Sequence, residues 1–135
     1  MQILTRQHLR AQRGVTIMGL IFGLAVIGVV MIVGSKVLPT VIEFRAIKNS
    51  IASAKRQGGE VQELRAAFDR GADINTITAI RGADLVITKD TGEPELSFAY
   101  EKRIELFTNV SLLIDYSGTT AKNGVVATKA DVEPK

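Results

Sequence analysis

Few side chains in this 135-residue chain could carry out acid–base chemistry. His8 is the only histidine, and it lies among arginines, so we interpret it as a residue that faces lipid headgroups. Glu101, Glu105 and Asp115 could approach one another if their segments pair in a sheet. Carboxylates on the exposed face of a strand are usually solvated, and no histidine accompanies these three. The sequence therefore favours a solvated surface here over a catalytic site.

The remaining nucleophiles also lack activating groups. Ser111 and Ser117 have no neighbouring base to remove the hydroxyl proton. The chain contains no cysteine, which excludes a thiolate nucleophile, a thiolate zinc site and a disulfide framework. No phosphate-binding loop, dinucleotide fingerprint or metal-ligand spacing is present. We predict that the protein is not an enzyme and that it binds neither a cofactor nor a metal ion.

Three glycines have a spacing that suits contact between helices in a lipid bilayer. Gly19 and Gly23 form a small-xxx-small pair, and Gly34 falls on nearly the same helical face. Small residues allow a second helix to approach closely where lipid removes the hydrophobic drive for association. This face predicts a membrane-protein partner or a small oligomer. The alternative is that glycine is simply common in membrane helices.

The element that carries these glycines is an uncharged, apolar run of 22 residues, 14–35. At about 1.5 Å per residue, a helix of that length slightly exceeds the roughly 30 Å hydrocarbon layer of a membrane. No small-x-small cleavage site closes the run, as it would in a secretory signal. We predict a retained transmembrane helix in contact with membrane lipid.

Charge is distributed unevenly around this membrane segment, residues 14–35. The first 56 residues hold eight basic and one acidic side chain, whereas the last 79 hold nine basic and thirteen acidic ones. Basic residues that flank an apolar run suit lipid headgroups, while a nucleic-acid protein places them on its folded domain. We predict a single-pass protein with a basic cytoplasmic leader, residues 1–13, its amino terminus inside and its acidic portion outside, and no nucleic-acid partner.

Beyond the membrane segment the pattern becomes amphipathic. Apolar residues recur at helical spacing over 36–57, with a kink or break expected near Pro39 and an end at Gly58. A short helix that carries Leu64 and Phe68 follows, with Gly71 as its expected stop. The sequence then predicts a small extracytoplasmic head, residues 58–116.

The second half of the head changes to a period of two. Three antiparallel strands are predicted at 85–89, 95–103 and 109–116, with a turn at 90–94. Their apolar face, which includes Phe98 and Leu112, should lie against the short helix. Residues 117–135 lack periodicity and are expected to form a flexible tail. The fold class is therefore α+β: a long membrane helix that continues into an amphipathic helix, then a short helix and a three-stranded antiparallel sheet.

One stretch, RGVTIMGLI at 13–21, resembles the start of a type IV pilin or pseudopilin. By that resemblance Gly14 precedes a cleavage site and Val15 becomes the methylated amino terminus. Pilins place a glutamate five residues into the mature chain, whereas Gly19 stands here. That glutamate neutralises a terminal amine in an apolar filament core, so its absence argues against a major filament subunit.

Two further stretches, KVLPTVIEF at 36–44 and YEKRIELFTNVSLLID at 100–115, are similar to the domain of unknown function 4845 family, with the likeness running from about 13 to 116. The resemblance implies a proteobacterial inner-membrane protein with one span and a small periplasmic head, often encoded beside signal peptidase I. It supplies no catalytic residues.

Three functions follow as hypotheses. The leading one is a non-enzymatic, membrane-anchored interaction or structural subunit. The second is a minor pilin or pseudopilin processed after Gly14, with pilus or secretion components as partners. The third is an accessory subunit of signal peptidase I.

Overall fold

The computed structural model describes residues 14, 16–90 and 92–132. The elements are helix α1 (Ile17–Gln57), helix α2 (Val61–Ile74), strands β1 (Val86–Thr88), β2 (Glu95–Phe107) and β3 (Val110–Thr119), and a short helix α3 (Lys129–Val132). The strands form an antiparallel sheet in the order β1-β2-β3. The α+β class, the long apolar helix, the short helix and the three-stranded sheet predicted from the sequence are confirmed.

Helix α1 is one continuous element of 41 residues. At about 1.5 Å per residue it extends about 60 Å, roughly twice the thickness of a bilayer's hydrocarbon layer. The hydroxyl of Thr16 caps its start by accepting a hydrogen bond from the Gly19 N–H at 3.2 Å. It passes through Pro39 without the expected break, and it ends at Gly58, whose φ of 68° favours glycine.

Helix α2 differs from its prediction at the carboxyl end. Gly71 does not stop the helix, which continues to Ile74 and is closed by Asn75. A side chain at Gly71 would meet the Oγ of Ser50 on α1 at 3.2 Å, so this glycine allows the two helices to pack closely. The sequence could not distinguish that packing role from a helix stop, because glycine serves in both.

The core of the head lies around the second half of α1, which packs against both α2 and the sheet. The largest fully buried apolar side chains come from α1, α2, the loop that follows α2, and β2: Ile47, Ile51, Leu64, Phe68, Ile77, Leu85, Leu96 and Phe98. The sheet therefore faces α1 more extensively than it faces α2. Our prediction that the short helix covers the sheet was wrong in this respect, since the extension of α1 takes that place.

The hairpin of β2 and β3 is longer than predicted and extends past the core. Phe98 is buried as expected, at 1% exposure, but Leu112 is 37% exposed, which corrects its assignment to the core. Ile104 and Tyr116 are the last buried residues toward the end of the hairpin. Alternation along β3 correctly indicated a strand. It could not indicate the residue at which α1 no longer covers that strand.

The segment expected to be a flexible tail from residue 117 is in part attached to the head. Strand β3 continues to Thr119, and the N–H of Thr120 donates to the Leu96 carbonyl at 2.9 Å. Further along, the Ala127 N–H donates to the Oγ of Ser97 at 3.2 Å. These contacts add backbone hydrogen bonds that side-chain periodicity does not reveal.

Candidate interaction site

The carboxylates considered for chemistry lie on the solvent face of the sheet. Glu101 and Asp115 are directly opposite each other on β2 and β3, and Glu105 is opposite Ser111 further along. All three acids are exposed. Among the described residues, no group of three or more histidine, cysteine or acidic side chains could hold a metal ion. The arrangement therefore offers solvated charges and no enclosed acid–base pair.

The glycine face is open along the membrane segment. Gly19 and Gly34 are exposed and Gly23 is half-exposed. A side chain added at Gly23 or Gly34 would meet no atom within 4 Å. Gly14 is exposed and precedes α1, while Val15 and His8 lie outside the described residues. The structure thus leaves the predicted packing face accessible to a second helix.

The first half of α1 exposes apolar side chains all round, and α1 is long and apolar enough to cross a membrane. The exposed large apolar residues of this half are Ile17, Met18, Leu20, Ile21, Phe22, Leu24, Val26, Ile27, Val29, Val30, Met31 and Ile32. In water such a surface would be unfavourable, at about 25 cal/mol per Å² of apolar area. A lipid environment removes that cost, which makes residues 14–35 a candidate membrane span.

Just beyond that span, Glu43 binds α1 to the loop that follows α2. One carboxylate oxygen accepts hydrogen bonds from the backbone N–H groups of Thr78 and Ala79, at 2.7 and 2.9 Å, and from the Thr78 hydroxyl at 3.1 Å. The other oxygen lies 3.6 Å from the Nζ of Lys102 on β2, and the side chain is 14% exposed. Burial alone would raise the pKa of Glu43, but these hydrogen bonds and Lys102 outweigh it and hold the pKa below its ordinary value.

An aromatic cluster, Phe44, Phe98, Tyr100 and Tyr116, binds the hairpin to the same stretch of helix. Phe44 on α1 stacks on Tyr116 with ring centroids 4.9 Å apart and meets Phe98 edge-on at 6.0 Å. The hydroxyls of Thr40 and Tyr116 are 2.9 Å apart in a buried hydrogen bond. Burial, with added contributions from Glu43 and Tyr116, raises the pKa of Tyr100 to about 12, so this phenol stays neutral at physiological pH.

Lys36 makes the contact closest to the membrane segment. Its Nζ donates to the backbone carbonyls of Glu105 and Leu106 at 2.7 and 3.1 Å. The pairing of β2 with β3 shifts here, from Glu105 opposite Ser111 to Phe107 opposite Val110, so Leu106 is an extra residue in β2. A β-bulge disrupts the ladder locally, and Lys36 donates to the carbonyls of two residues at this shift. The sequence suggested only that Lys36 flanks the membrane, because its partners lie about 70 positions away.

An open recess of about 840 Å³ lies at the opposite end of the head, beside the end of α1. Its charged lining residues are Lys55, Arg56 and Glu93. The Nζ of Lys55 donates to the Thr120 carbonyl at 3.4 Å, which ties one wall to the end of β3. This surface can make polar contacts but brings no nucleophile and base together.

Comparison with known proteins gives one family. A family model described as domain of unknown function (DUF4845) matches residues 36–116, more than half of the chain. The match begins at Lys36, later than the position near residue 13 expected from the resemblance, so it covers the head and the extension of α1 but not the membrane segment. No curated protein and no solved structure matches the chain.

Proposed function

Because the chain belongs to the domain of unknown function (DUF4845) family and carries a helix suited to crossing a membrane, we propose that it is a non-enzymatic, membrane-anchored interaction subunit. The observation that carries the proposal is that the two halves of α1 have different surroundings. Its first half exposes apolar residues along its length, and its second half is the centre of the folded head. The head is therefore fixed to the span through one helix, which suits a protein that presents a rigid domain at the membrane surface.

We further propose that the membrane is the bacterial inner membrane, with the leader in the cytoplasm and the head in the periplasm. The leader, residues 1–13, carries three arginines and no acid, and the last 79 residues carry thirteen acidic against nine basic side chains, which supports this orientation. A single cysteine at Asn123, which is exposed, makes a specific probe because the chain has no other cysteine. In intact cells with a permeabilised outer membrane, a maleimide that cannot cross the inner membrane should label Asn123→Cys. Labelling only after lysis would contradict the orientation.

The partner surface in this proposal is the face of Gly19, Gly23 and Gly34, and its partner is a membrane protein or a second copy of the chain. Gly23→Leu should reduce recovery of the partner after crosslinking in membranes, because leucine prevents close approach of two helices. Gly28→Leu is the matched control. Gly28 lies half a helical turn away from Gly19, and a side chain there also meets nothing within 4 Å. Equal recovery with both variants would remove the packing role.

The identity of the recovered protein separates the remaining hypotheses. Signal peptidase I would support an accessory role, and pilus or secretion components would support a minor pilin. One observation favours the pilin hypothesis: Gly14 is exposed and lies before the helix, where a prepilin peptidase could reach it. Processing there yields a mature chain that begins at Val15, whereas a plain anchor keeps residues 1–14.

A further inference from the structure

The end of the hairpin carries several exposed apolar side chains outside the membrane segment. Between Glu105 and Asp115 the chain has nine consecutive uncharged residues, 106–114, which we call the hairpin tip. Within it Phe107, Val110 and Leu113 are 52–57% exposed. Few soluble domains expose such side chains together without a partner. These side chains therefore indicate that a partner or a lipid surface covers the tip.

Contacts along α1 place this tip beside the membrane segment. Moving along α1 toward its amino terminus, Glu43 contacts Lys102 and then Lys36 contacts the carbonyls of Glu105 and Leu106. The hairpin thus lies along α1 with its turn toward the amino-terminal, membrane-spanning part of the helix. At about 3.3 Å per residue, Phe107 and the residues after it extend past Lys36, to the level at which the uncharged run of α1 ends.

Exposed apolar residues lie on both faces of the hairpin near its turn. Ile104 pairs with Leu112 on the face toward α1, whereas Arg103 pairs with Leu113 on the opposite face. Leu112 and Leu113 are both exposed, on the two sides of the hairpin. The face of Leu113 also carries the exposed Arg103 and Glu105, so apolar and charged side chains lie together there, as the boundary between headgroups and acyl chains requires.

Lys36 reduces one cost of placing the hairpin turn at the membrane boundary. A β-bulge in lipid would leave backbone carbonyls without a donor, which costs several kcal/mol per group in hydrocarbon. The Lys36 ammonium supplies donors to both carbonyls, and the carbonyls partly compensate its charge. Beyond Lys36, Leu38 and Ile42 on α1 remain about 60% exposed. The lipid-compatible surface of the helix thus continues past the level of the bulge.

We propose that the hairpin tip inserts into the interfacial layer of the same bilayer that α1 crosses, as a second membrane contact that fixes the orientation of the head. This inference rests on the proposed function, since it requires α1 to span a membrane. The occupant is the lipid surface itself, where Phe107 and the leucines enter the headgroup–acyl boundary.

The test uses the full-length chain with a single environment-sensitive fluorophore, in vesicles of phosphatidylethanolamine and phosphatidylglycerol. Thr108→Cys puts the label on the turn at the tip. Glu93→Cys puts it on an exposed residue just before β2 begins, at the end of the strand away from the tip. Val30→Cys, in the middle of the span, reports insertion of α1. We expect lipids with brominated acyl chains to quench the labels at Thr108 and Val30 and to leave the label at Glu93 bright. When Phe107→Asp is added, the tip should leave the lipid, so that aqueous iodide quenches the label at Thr108.

Each failure has a distinct meaning. If Val30 is quenched by brominated lipid and Thr108 is quenched only by iodide, the tip stays in water and this inference is overturned while the anchor survives. If the Thr108 label is shielded from both quenchers, a protein surface covers the tip, which also overturns it. If the Val30 label is not quenched by brominated lipid, the membrane anchor itself is wrong.

Discussion

Replacing Phe98 by alanine is expected to lower the free energy of unfolding of the head by about 3–5 kcal/mol, the usual range for removing a buried aromatic ring. Phe98 is 1% exposed and contacts Phe44 of α1 edge-on. Gly118 on β3 lies against the same ring, since a side chain there would approach Phe98 Cζ within 2.9 Å. Removing the ring therefore leaves a cavity between the sheet and the helix that neighbouring side chains fill only in part.

Leu112→Ala is the matched control, because Leu112 lies on the same hairpin and was also expected in the core from the sequence. With 37% of its surface exposed, its removal should cost less than about 1 kcal/mol. Pulse proteolysis of the full-length chain in detergent across a urea series would measure both values. Since domains of this size are stable by only about 5–15 kcal/mol, the difference is readily resolved. Equal losses would mean that the core extends to the hairpin tip.

Local patterns were sufficient to predict the elements of this fold. Alternation along β2 correctly predicted that Phe98 is buried, and the helical spacing over 36–57 correctly predicted an amphipathic helix, whose Ile47 and Ile51 are buried. These signals are local because each element buries one face, and the face repeats every two residues in a strand or every three to four in a helix.

The arrangement of the elements was less predictable. Gly71 serves close packing against Ser50 and does not end α2, and the sheet packs on α1 more than on α2. Leu112 follows the pattern of a buried residue but lies past the end of the core. Each difference depends on which elements meet in space, and periodicity does not carry that information.

The contacts that position the candidate site join distant parts of the chain. Glu43 meets Thr78 across 35 positions, and Lys36 meets Glu105 across 69. The glycine face could be predicted from the sequence because its spacing is local. The hairpin tip does have a local signal in the sequence, the charge-free run 106–114.

The second large effect is expected at Glu43. Glu43→Ala removes the acceptor from the exposed N–H and hydroxyl of Thr78 and from the part-buried N–H of Ala79, which should cost about 2–3 kcal/mol in unfolding free energy. The loop it holds also includes Thr76 at a φ of 55°, an uncommon conformation for a β-branched residue. Glu43→Gln keeps one acceptor oxygen but loses the charge, so its cost should be smaller, about 1–2 kcal/mol.

The pH dependence of stability separates the charge from the shape of Glu43. Its pKa in the folded protein lies below the ordinary value of 4.5, so the folded state favours the ionised form. The stabilisation is fully present above about pH 4.5 and is lost as pH falls through the lower folded pKa. Unfolding measured between about pH 6 and 3 should therefore show a smaller acid-induced loss for Glu43→Gln than for the wild type. Glu101→Gln, the same change on the exposed face opposite Asp115, should keep the full loss. Parallel curves for the wild type and Glu43→Gln would show that the carboxylate binds the loop through its shape alone.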